Sequence, residues 1–273
     1  MRRPARLGAV SYLNVRPLVD GLDRRPDLVS LRFDVPSVCA TLLEAGEIDL
    51  GMVPSIAYLD RPADRVVPGV CIGSDGPVAS VALFSRRPIA EVRSIALDTS
   101  SRTSAALTRI LCARRFGIAP RFLSHRPDLP AMLEAADAAL LIGDPALFVD
   151  HAALGLAKTD LGAEWTAMTG LPFVWAVWAG RPDAAGPDVV AALQQAAEAG
   201  MARTDEIADA YCESQPDRRP IARAYLRENL MFRLTPRALD GLRAYYAAAA
   251  ALGLAGGDAR VDFFDDAGAG ARA

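Results

Sequence analysis

A dense run of hydroxyl side chains marks one place in this sequence where chemistry could occur. Five hydroxyl residues fall within the six positions 99–104, directly after the apolar segment 95–97. One serine or threonine is enough to cap a helix, so five favour a second role, although an over-provided N-cap is the alternative. Hydroxyls and the unpaired N–H groups at a helix start can hold a carboxylate without a buried cation. The candidate contacts are Thr99, Ser100, Ser101, Arg102 and Thr103; Arg102 could add a charge-assisted bond or point to solvent.

Three further loops place a polar side chain between a strand pattern and a helix pattern. Asn14 could bind a ligand through its amide or cap a helix, and Ser55 could bond a ligand or its own helix backbone. Asp144 stands before Pro145, as an N-cap residue often does, and a catalytic carboxylate is the other interpretation. The same loops contain further candidate contacts: Ser11, Tyr12, Pro54 and Gly143.

A few single residues are also candidates for chemistry. Ser80, within the apolar stretch 76–81, could reach the wall of a cleft or be a small core residue with a bonded hydroxyl. Of the two histidines, His125 follows a strand pattern and is the better acid–base candidate, while an ordinary structural role is favoured for both. Lys158 is the only lysine in the chain, so any Schiff-base chemistry would depend on it, and its neighbours give that chemistry no support.

Strand patterns alternate with helix patterns along most of the chain, which is typical of α/β proteins. The apolar segments predicted as strands are 6–10, 28–35, 48–53, 95–97, 121–123, 138–142 and 173–179. Two more strands within 66–85 are joined by Gly-Ser-Asp-Gly-Pro at 73–77, a strong turn signal. From 187 onward the pattern is mostly helical, over 189–202, 204–212, 221–229 and 236–254.

This order of elements predicts two similar α/β halves that meet near residues 84–90. We assign 1–85 together with about 180–273 to a first lobe, and 86–179 to a second. The strand at 173–179 is expected to lead back toward the first half. Because clefts between lobes favour small ligands, and strand-end loops face such clefts, we expect a small-molecule site between the lobes.

Composition excludes several classes of protein. The 273 residues carry a formal net charge of -3 with no basic stripe, so no nucleic-acid partner is expected. Neither a signal peptide nor an apolar run of membrane-spanning length is visible, which predicts a cytoplasmic protein without a membrane partner. The four cysteines form no CxxC pair and are expected to be buried thiols. No metal-binding or phosphate-loop motif is present.

Four motifs give the sequence a specific resemblance. Ser-Tyr-Leu-Asn-Val-Arg-Pro-Leu at 11–18 resembles the opening signature of the chorismate dehydratase family of menaquinone biosynthesis, which acts in the futalosine pathway. Segments 98–104, 141–147 and 160–176 agree with that family, and the similarity extends from about residue 5 to 250. A sister enzyme of the same fold, the dihydroxynaphthoate synthase, opens with a Cys-Pro-Asn-Asp type signature that is absent here.

The resemblance implies an α/β fold of two lobes, like type 2 periplasmic binding proteins, with the ligand cleft between them. It implies a hydro-lyase that converts chorismate to 3-[(1-carboxyvinyl)oxy]benzoate and water, with no metal or organic cofactor. Asn14 and Ser80 are then expected at the reacting region, and the base is either the substrate's own side-chain carboxylate or Asp144.

Two other function classes share this architecture: a non-catalytic solute-binding protein and a ligand-sensing protein. The signature at 11–18 favours the enzyme. The alanine-rich C-terminal helix, with Tyr245 and Tyr246, could pack on its own lobe or against another subunit, so a homodimer is left open.

Overall fold

Two separate β-sheets organise the chain in the computed structural model, which describes residues 3–256 and 260–265. Numbered along the chain, the strands are β1 (Ala5–Val10), β2 (Val29–Asp34), β3 (Leu50–Pro54), β4 (Arg65–Ser74), β5 (Val81–Ser85), β6 (Ser94–Asp98), β7 (Arg121–His125), β8 (Ala138–Ile142), β9 (Ala157–Asp160), β10 (Phe173–Gly180) and β11 (Met231–Arg233). The first sheet has the order β11-β4-β10-β3-β1-β2, and the second has the order β7-β6-β8-β5-β9.

Helices cover the sheets and connect their strands. They are α1 (Pro36–Glu44), α2 (Arg102–Leu111), α3 (Leu129–Ala135), α4 (Gly143–Leu147), α5 (Leu161–Thr169), α6 (Pro187–Met201), α7 (Thr204–Tyr211), α8 (Arg219–Ala224) and α9 (Pro236–Ala251). Short 3₁₀ segments lie at Leu13–Val19, Leu22–Arg24, Ser55–Asp60, Ile89–Glu91 and Pro216–Arg218, and π-helical turns at Cys112–Phe116 and Tyr225–Asn229.

Each sheet mixes parallel and antiparallel pairs. β1 runs parallel to β2 and β3, and β6 runs parallel to β7 and β8. β10 is antiparallel to β3 and β4, and β5 is antiparallel to β8 and β9. Every residue of β3, β5 and β8 is buried. Strands covered on both faces need apolar side chains on both, which explains why these three segments read as continuous apolar runs.

The predicted strands are confirmed, but two were missed. β9 has the sequence Ala-Lys-Thr-Asp and lies partly exposed at the edge of its sheet, so it shows no apolar pattern. β11 is only three residues long. Helix α2 ends at Leu111, and the chain continues directly as the π turn Cys112–Phe116.

Strand pairing differs from the lobe boundaries expected at 85 and 180. β5 was expected in the first lobe but pairs only within the second sheet, and β10 was included in the second lobe but lies inside the first sheet. The Gly-Ser-Asp-Gly-Pro turn therefore does not join two neighbouring strands. It begins the crossover from β4 to β5, and the chain returns from α5 to β10. The division of the chain into two lobes stays a prediction. In the structure the chain passes from one sheet to the other at residues 75–80 and again at 170–172.

An aromatic cluster fills the core beside the second crossing. The ring of Phe173 lies 5.3 Å from that of Trp165 and 4.8 Å from that of Tyr245, centroid to centroid. Tyr245 and Tyr246 are both buried, so α9 packs on its own chain through them. All four cysteines are buried and free, as expected from the sequence. Across the described residues, no helix has the length and apolar character needed to cross a bilayer.

Candidate active site

A cleft lies where the strand ends of both sheets face each other, and it holds about 570 Å³ of empty space. That volume includes space open to solvent. The carboxyl ends of the parallel strands β1, β3 and β8 all reach it, as the rule for open α/β sheets predicts. Its lining residues are Val10, Tyr12, Asn14, Met52, Pro54, Ile72, Val78, Ser80, Val81, Ser101, Thr103, Ser104, Ile142, Gly143, Trp175 and Ala176.

The hydroxyl segment contributes three side chains to this cleft. Ser101 is the N-cap of α2: its Oγ accepts the N–H of Ser104 at 3.2 Å and donates to the Ser104 Oγ at 2.8 Å. Thr103 is buried and its Oγ1 accepts the N–H of Ile56 at 3.2 Å, which ties α2 to the 3₁₀ segment after β3. Ser101 therefore both caps α2 and lines the cleft. The first turn of α2 presents hydroxyls and N–H groups toward the cleft, a favourable setting for a carboxylate.

The other three residues of the hydroxyl segment are not among the lining residues of the cleft. Ser100 donates its N–H and its hydroxyl to Asp98 Oδ1 at 2.8 and 2.6 Å. Thr99 is exposed beside β7. Arg102 occupies the first turn of α2 with 57% of its side chain exposed and its guanidinium 3.9 Å from the Asp60 carboxylate. Ser100 also lies within hydrogen-bonding reach of Tyr12, and the ligand contacts of these three residues stay predictions.

Tyr12 closes one end of the cleft by packing on Gly143 from the other sheet. Gly143 has φ +63°, and a Cβ there would lie 2.6 Å from Cδ2 and Cε2 of the Tyr12 ring. Glycine is thus required both by the backbone and by the ring. Burial raises the pKa of the Tyr12 phenol, and the carboxylate of Asp98 adds to that effect. Tyr12 is therefore a neutral hydrogen-bonding group at physiological pH.

Asn14 and Ser80 come together although 66 positions separate them in the sequence. The Ser80 Oγ and the Tyr225 hydroxyl oxygen lie 2.7 Å apart in a buried hydrogen bond. Burial raises the pKa of the Tyr225 phenol, whereas hydrogen bonds with Ser80 and Asn14 act to lower it. Asn14 does not cap a helix: the 3₁₀ segment starts at Leu13, before it. Its buried Oδ1 has no hydrogen-bond partner among the described residues, so the cleft holds an acceptor for a ligand donor.

Ser55 lies behind the cleft. It is fully buried, and its hydroxyl donates to the Val174 carbonyl at 2.8 Å, while its own carbonyl accepts the hydroxyl of Tyr246 at 2.7 Å. Its neighbour Pro54 lines the cleft. The Ser55 hydroxyl thus bonds the backbone of β10 and not that of its own helix, and its ligand contact stays a prediction.

Asp144 bridges the two sheets instead of capping a helix. Residue 142 holds the cap position of α4 and no side chain caps it. The Asp144 Oδ1 accepts the N–H of Leu13 at 3.1 Å, and its Oδ2 accepts a short hydrogen bond from the Tyr211 hydroxyl. Burial raises the pKa of this carboxyl, partly offset by the bond from Tyr211. Tyr211 also donates to the Ser11 carbonyl at 3.2 Å, so Ser11 participates through its backbone.

The described lining contains no charged side chain. Asp144, Arg102 and both histidines lie outside it: the Nδ1 of His125 contacts the Arg126 carbonyl at 2.7 Å, and that of His151 contacts the Leu156 carbonyl at 3.1 Å. A ligand carboxylate in this cleft would be held by neutral donors. Any acid–base step would need either the ligand's own groups or a group behind the surface.

Sequence reasoning missed several residues of this region, including Ser104, Trp175 and Tyr225. Ser104 belongs to the hydroxyl run but was not singled out as a contact. Trp175 lines the cleft and donates its Nε1 to the Ser74 hydroxyl at 3.1 Å; it lies within the motif at 160–176, which was the available signal. Tyr225 comes from the C-terminal helical part, and nothing in its sequence surroundings indicates proximity to Ser80.

Comparison with known proteins gives a consistent result. A family model described as menaquinone biosynthesis matches residues 5–251 of the chain. The chorismate dehydratase of Thermus thermophilus is 34% identical over 225 residues, which cover 76% of this chain and 82% of that protein.

Solved structures share the fold at low sequence identity. A protein of Archaeoglobus fulgidus, 18% identical, matches with a TM-score of 0.74 over 92% of this chain and 98% of that one. The periplasmic aliphatic sulphonate-binding protein of Escherichia coli, 17% identical, matches with a TM-score of 0.61 over 93% and 89%. The expected α/β fold of the periplasmic-binding-protein type is thereby confirmed.

Proposed function

This chain belongs to the menaquinone biosynthesis family, and on that premise we propose that it is a chorismate dehydratase. It acts as a hydro-lyase that converts chorismate to 3-[(1-carboxyvinyl)oxy]benzoate and water. The observation that carries the proposal is the position of the 11–18 motif, whose Tyr12 and Asn14 face Ser80 and the start of α2 across one uncharged cleft. The relative from Thermus thermophilus supports the same reaction.

The reaction removes one ring proton and the neighbouring ring hydroxyl. The electron pair of the broken C–H bond forms the third double bond of the ring, and the C–O bond breaks to release hydroxide, which leaves as water after protonation. Aromatisation supplies the driving force, so the protein has mainly to orient the diene and assist departure. Holding reacting groups in one geometry can account for a large share of such an acceleration.

The substrate's side-chain carboxylate is the base in this proposal. The uncharged lining supports that assignment, and both oxygens of Asp144 already accept bonds from Leu13 and Tyr211. Asn14 and Ser80 polarise the departing hydroxyl or fix the enolpyruvyl arm. Ser101 and Thr103, at the start of α2, bind the ring carboxylate. No metal or organic cofactor takes part in the proposed reaction, and the cytoplasmic location and a homodimer stay predictions.

The direct test mixes purified protein with chorismate alone and follows the ultraviolet spectrum and the product mass. Loss of one water with appearance of a substituted benzoate is the expected result. No turnover, with a rise in melting temperature on adding chorismate, would instead establish a binding protein and overturn the proposal.

Variants then test the site. We expect Asn14→Ala and Ser80→Ala each to lower kcat at least tenfold, since a hydrogen bond to a group developing charge contributes about 1.5–3 kcal/mol and 1.4 kcal/mol is a factor of ten. Ser85→Ala is the matched control, because this buried serine lies at the other end of β5 and donates only to the Arg87 carbonyl. Unchanged turnover in both site variants would show the assignment to be wrong.

A further inference from the structure

The residues just before Ser80 have an unusual backbone. Ala79 has φ +62°, and it is the one non-glycine residue with positive φ among those that the structure describes. The N–H of Ser80 donates to the Val78 carbonyl at 2.7 Å, which closes a three-residue turn around Ala79. A side chain with a Cβ is disfavoured in this conformation, and it persists only where the surroundings hold it.

Two side chains of β9 hold this turn. The Asp160 carboxylate accepts the N–H of Val78 at 3.0 Å and that of Ala79 at 2.7 Å, one at each oxygen. The Lys158 ammonium donates to the Ala79 carbonyl at 2.7 Å. Lys158 and Asp160 are two positions apart on one strand, so both project from the same face of the sheet. Both backbone polar groups of Ala79 are thus held by side chains.

The environment of Lys158 is unfavourable for a lysine. The ammonium is half-buried, 5.9 Å from the centroid of the buried Phe84 ring, and burial lowers its pKa while Asp160 acts to raise it. An ordinary surface lysine would leave its charge in water. This one, the only lysine in the chain, instead directs its charge to a backbone carbonyl.

The turn lies next to the hydrogen-bonded group of Ser80, Tyr225 and Asn14. Ser80 follows Ala79 immediately and is 1% exposed, and its hydroxyl meets Tyr225 beside Asn14. The turn belongs to the crossover between the sheets, so no regular strand pairing fixes its backbone.

We propose that Lys158 and Asp160 are positioning residues that hold Ala79 in its left-handed conformation and so set the Ser80 hydroxyl for the reaction in the cleft. The inference rests on the proposed dehydratase function and deepens it. Neither residue touches the substrate in this proposal; both act through the turn.

Lys158→Met tests the inference, because methionine keeps an unbranched side chain of similar length but has no donor. We expect kcat for chorismate to fall at least tenfold with a smaller change in KM. Asp160 is less suitable because its carboxylate also caps α5. Arg86→Met is the matched control: Arg86 follows β5 at the end opposite Ser80, and it likewise donates from a cationic side chain to a backbone carbonyl, that of Leu133 at 2.9 Å. It should keep full activity.

Rescue separates positioning from a general structural role. Glycine adopts positive φ freely, so Ala79→Gly should have little effect alone and should restore most of the kcat lost in Lys158→Met. In a Ser80→Ala background, Lys158→Met should cause no further loss of kcat. Should Lys158→Met fail to fold, Lys158→Gln, which shortens the donor's reach, carries the same rescue experiment.

Two results would overturn the inference while the dehydratase function stands. The first is full kcat in Lys158→Met. The second is a loss of kcat in Lys158→Met that Ala79→Gly does not restore and that adds to the loss caused by Ser80→Ala. Absence of turnover by the unaltered protein would overturn the proposed function, and this inference with it.

Discussion

Gly143 lies where Tyr12, which follows β1, packs against the segment after β8, so one added methyl group can test how much this contact contributes to stability. Replacing it with alanine has two separable effects: the new Cβ must tolerate φ +63°, and it must also displace the Tyr12 ring, whose Cδ2 and Cε2 would lie 2.6 Å away. Gly117 offers the comparison. It has φ +65°, yet a Cβ there would meet nothing within 4 Å. The two substitutions share the backbone effect and differ in the contact.

The expected magnitudes follow from these two effects. The left-handed conformation costs a residue with a Cβ about 1–2 kcal/mol. Ordinary van der Waals contact begins near 3.4 Å, so the Tyr12 ring must move by several tenths of an ångström in Gly143→Ala. Overpacking of this kind typically costs about 1–3 kcal/mol. We therefore expect Gly117→Ala to lower the free energy of unfolding by about 1–2 kcal/mol and Gly143→Ala by about 2–5 kcal/mol.

Urea denaturation measures the difference, and kinetics with chorismate measure its effect on the site. Because Tyr12 lines the cleft, Gly143→Ala should raise KM whereas Gly117→Ala should not. In a Tyr12→Ala background the extra destabilisation should disappear, since the ring is gone. Equal destabilisation by the two glycine variants, within about 0.5 kcal/mol, would refute the reasoning.

Two further predictions concern carboxylates. Asp144→Asn keeps an oxygen for the Leu13 N–H and removes the charge, so kcat should fall less than about tenfold in steady-state assays; a loss of about 10²–10⁴ would instead identify Asp144 as the base. Burial acts to raise the pKa of Asp49, but hydrogen bonds from Arg3 and Arg6 hold it below its usual range. A carboxyl with a lowered pKa stabilises the fold above its unfolded-state pKa and loses that contribution as the pH falls. Between about pH 5 and pH 2 the melting temperature should therefore fall more steeply in the unaltered protein than in Asp49→Asn, and parallel curves would contradict this.

Much of the fold could be predicted from the sequence because the fully buried strands form continuous apolar runs. β8 is five apolar residues with every position buried, and the prediction at 138–142 matches it residue for residue. The hydroxyl run at the start of α2 was also recognisable, because one serine suffices for a cap. The additional hydroxyls of Thr103 and Ser104 line the cleft, and that of Thr103 also bonds the segment after β3.

The rest depended on contacts between distant parts of the chain. β9 is an edge strand whose Lys158 side chain bonds to Ala79, 79 positions earlier, and neither alternation nor apolar content indicates this strand. Local propensity favoured Asp144 as a helix cap, but its carboxylate accepts hydrogen bonds from Leu13 and Tyr211, which lie 131 and 67 positions away in the sequence. The position of Tyr225 beside Ser80 is likewise a matter of tertiary packing alone.

The order of strands in the first sheet also determines when that sheet can be completed on the ribosome. β10 lies between β4 and β3, yet it is made only after all strands of the second sheet, which occupy residues 81–160. A nascent chain can therefore assemble the second sheet while β4 still lacks β10 beside it. Domains generally fold as units during synthesis, and unpaired strand edges are prone to aggregate. The second sheet should thus reach its native structure first. The first sheet, although its N-terminal strands are synthesised earlier, should reach its native structure last.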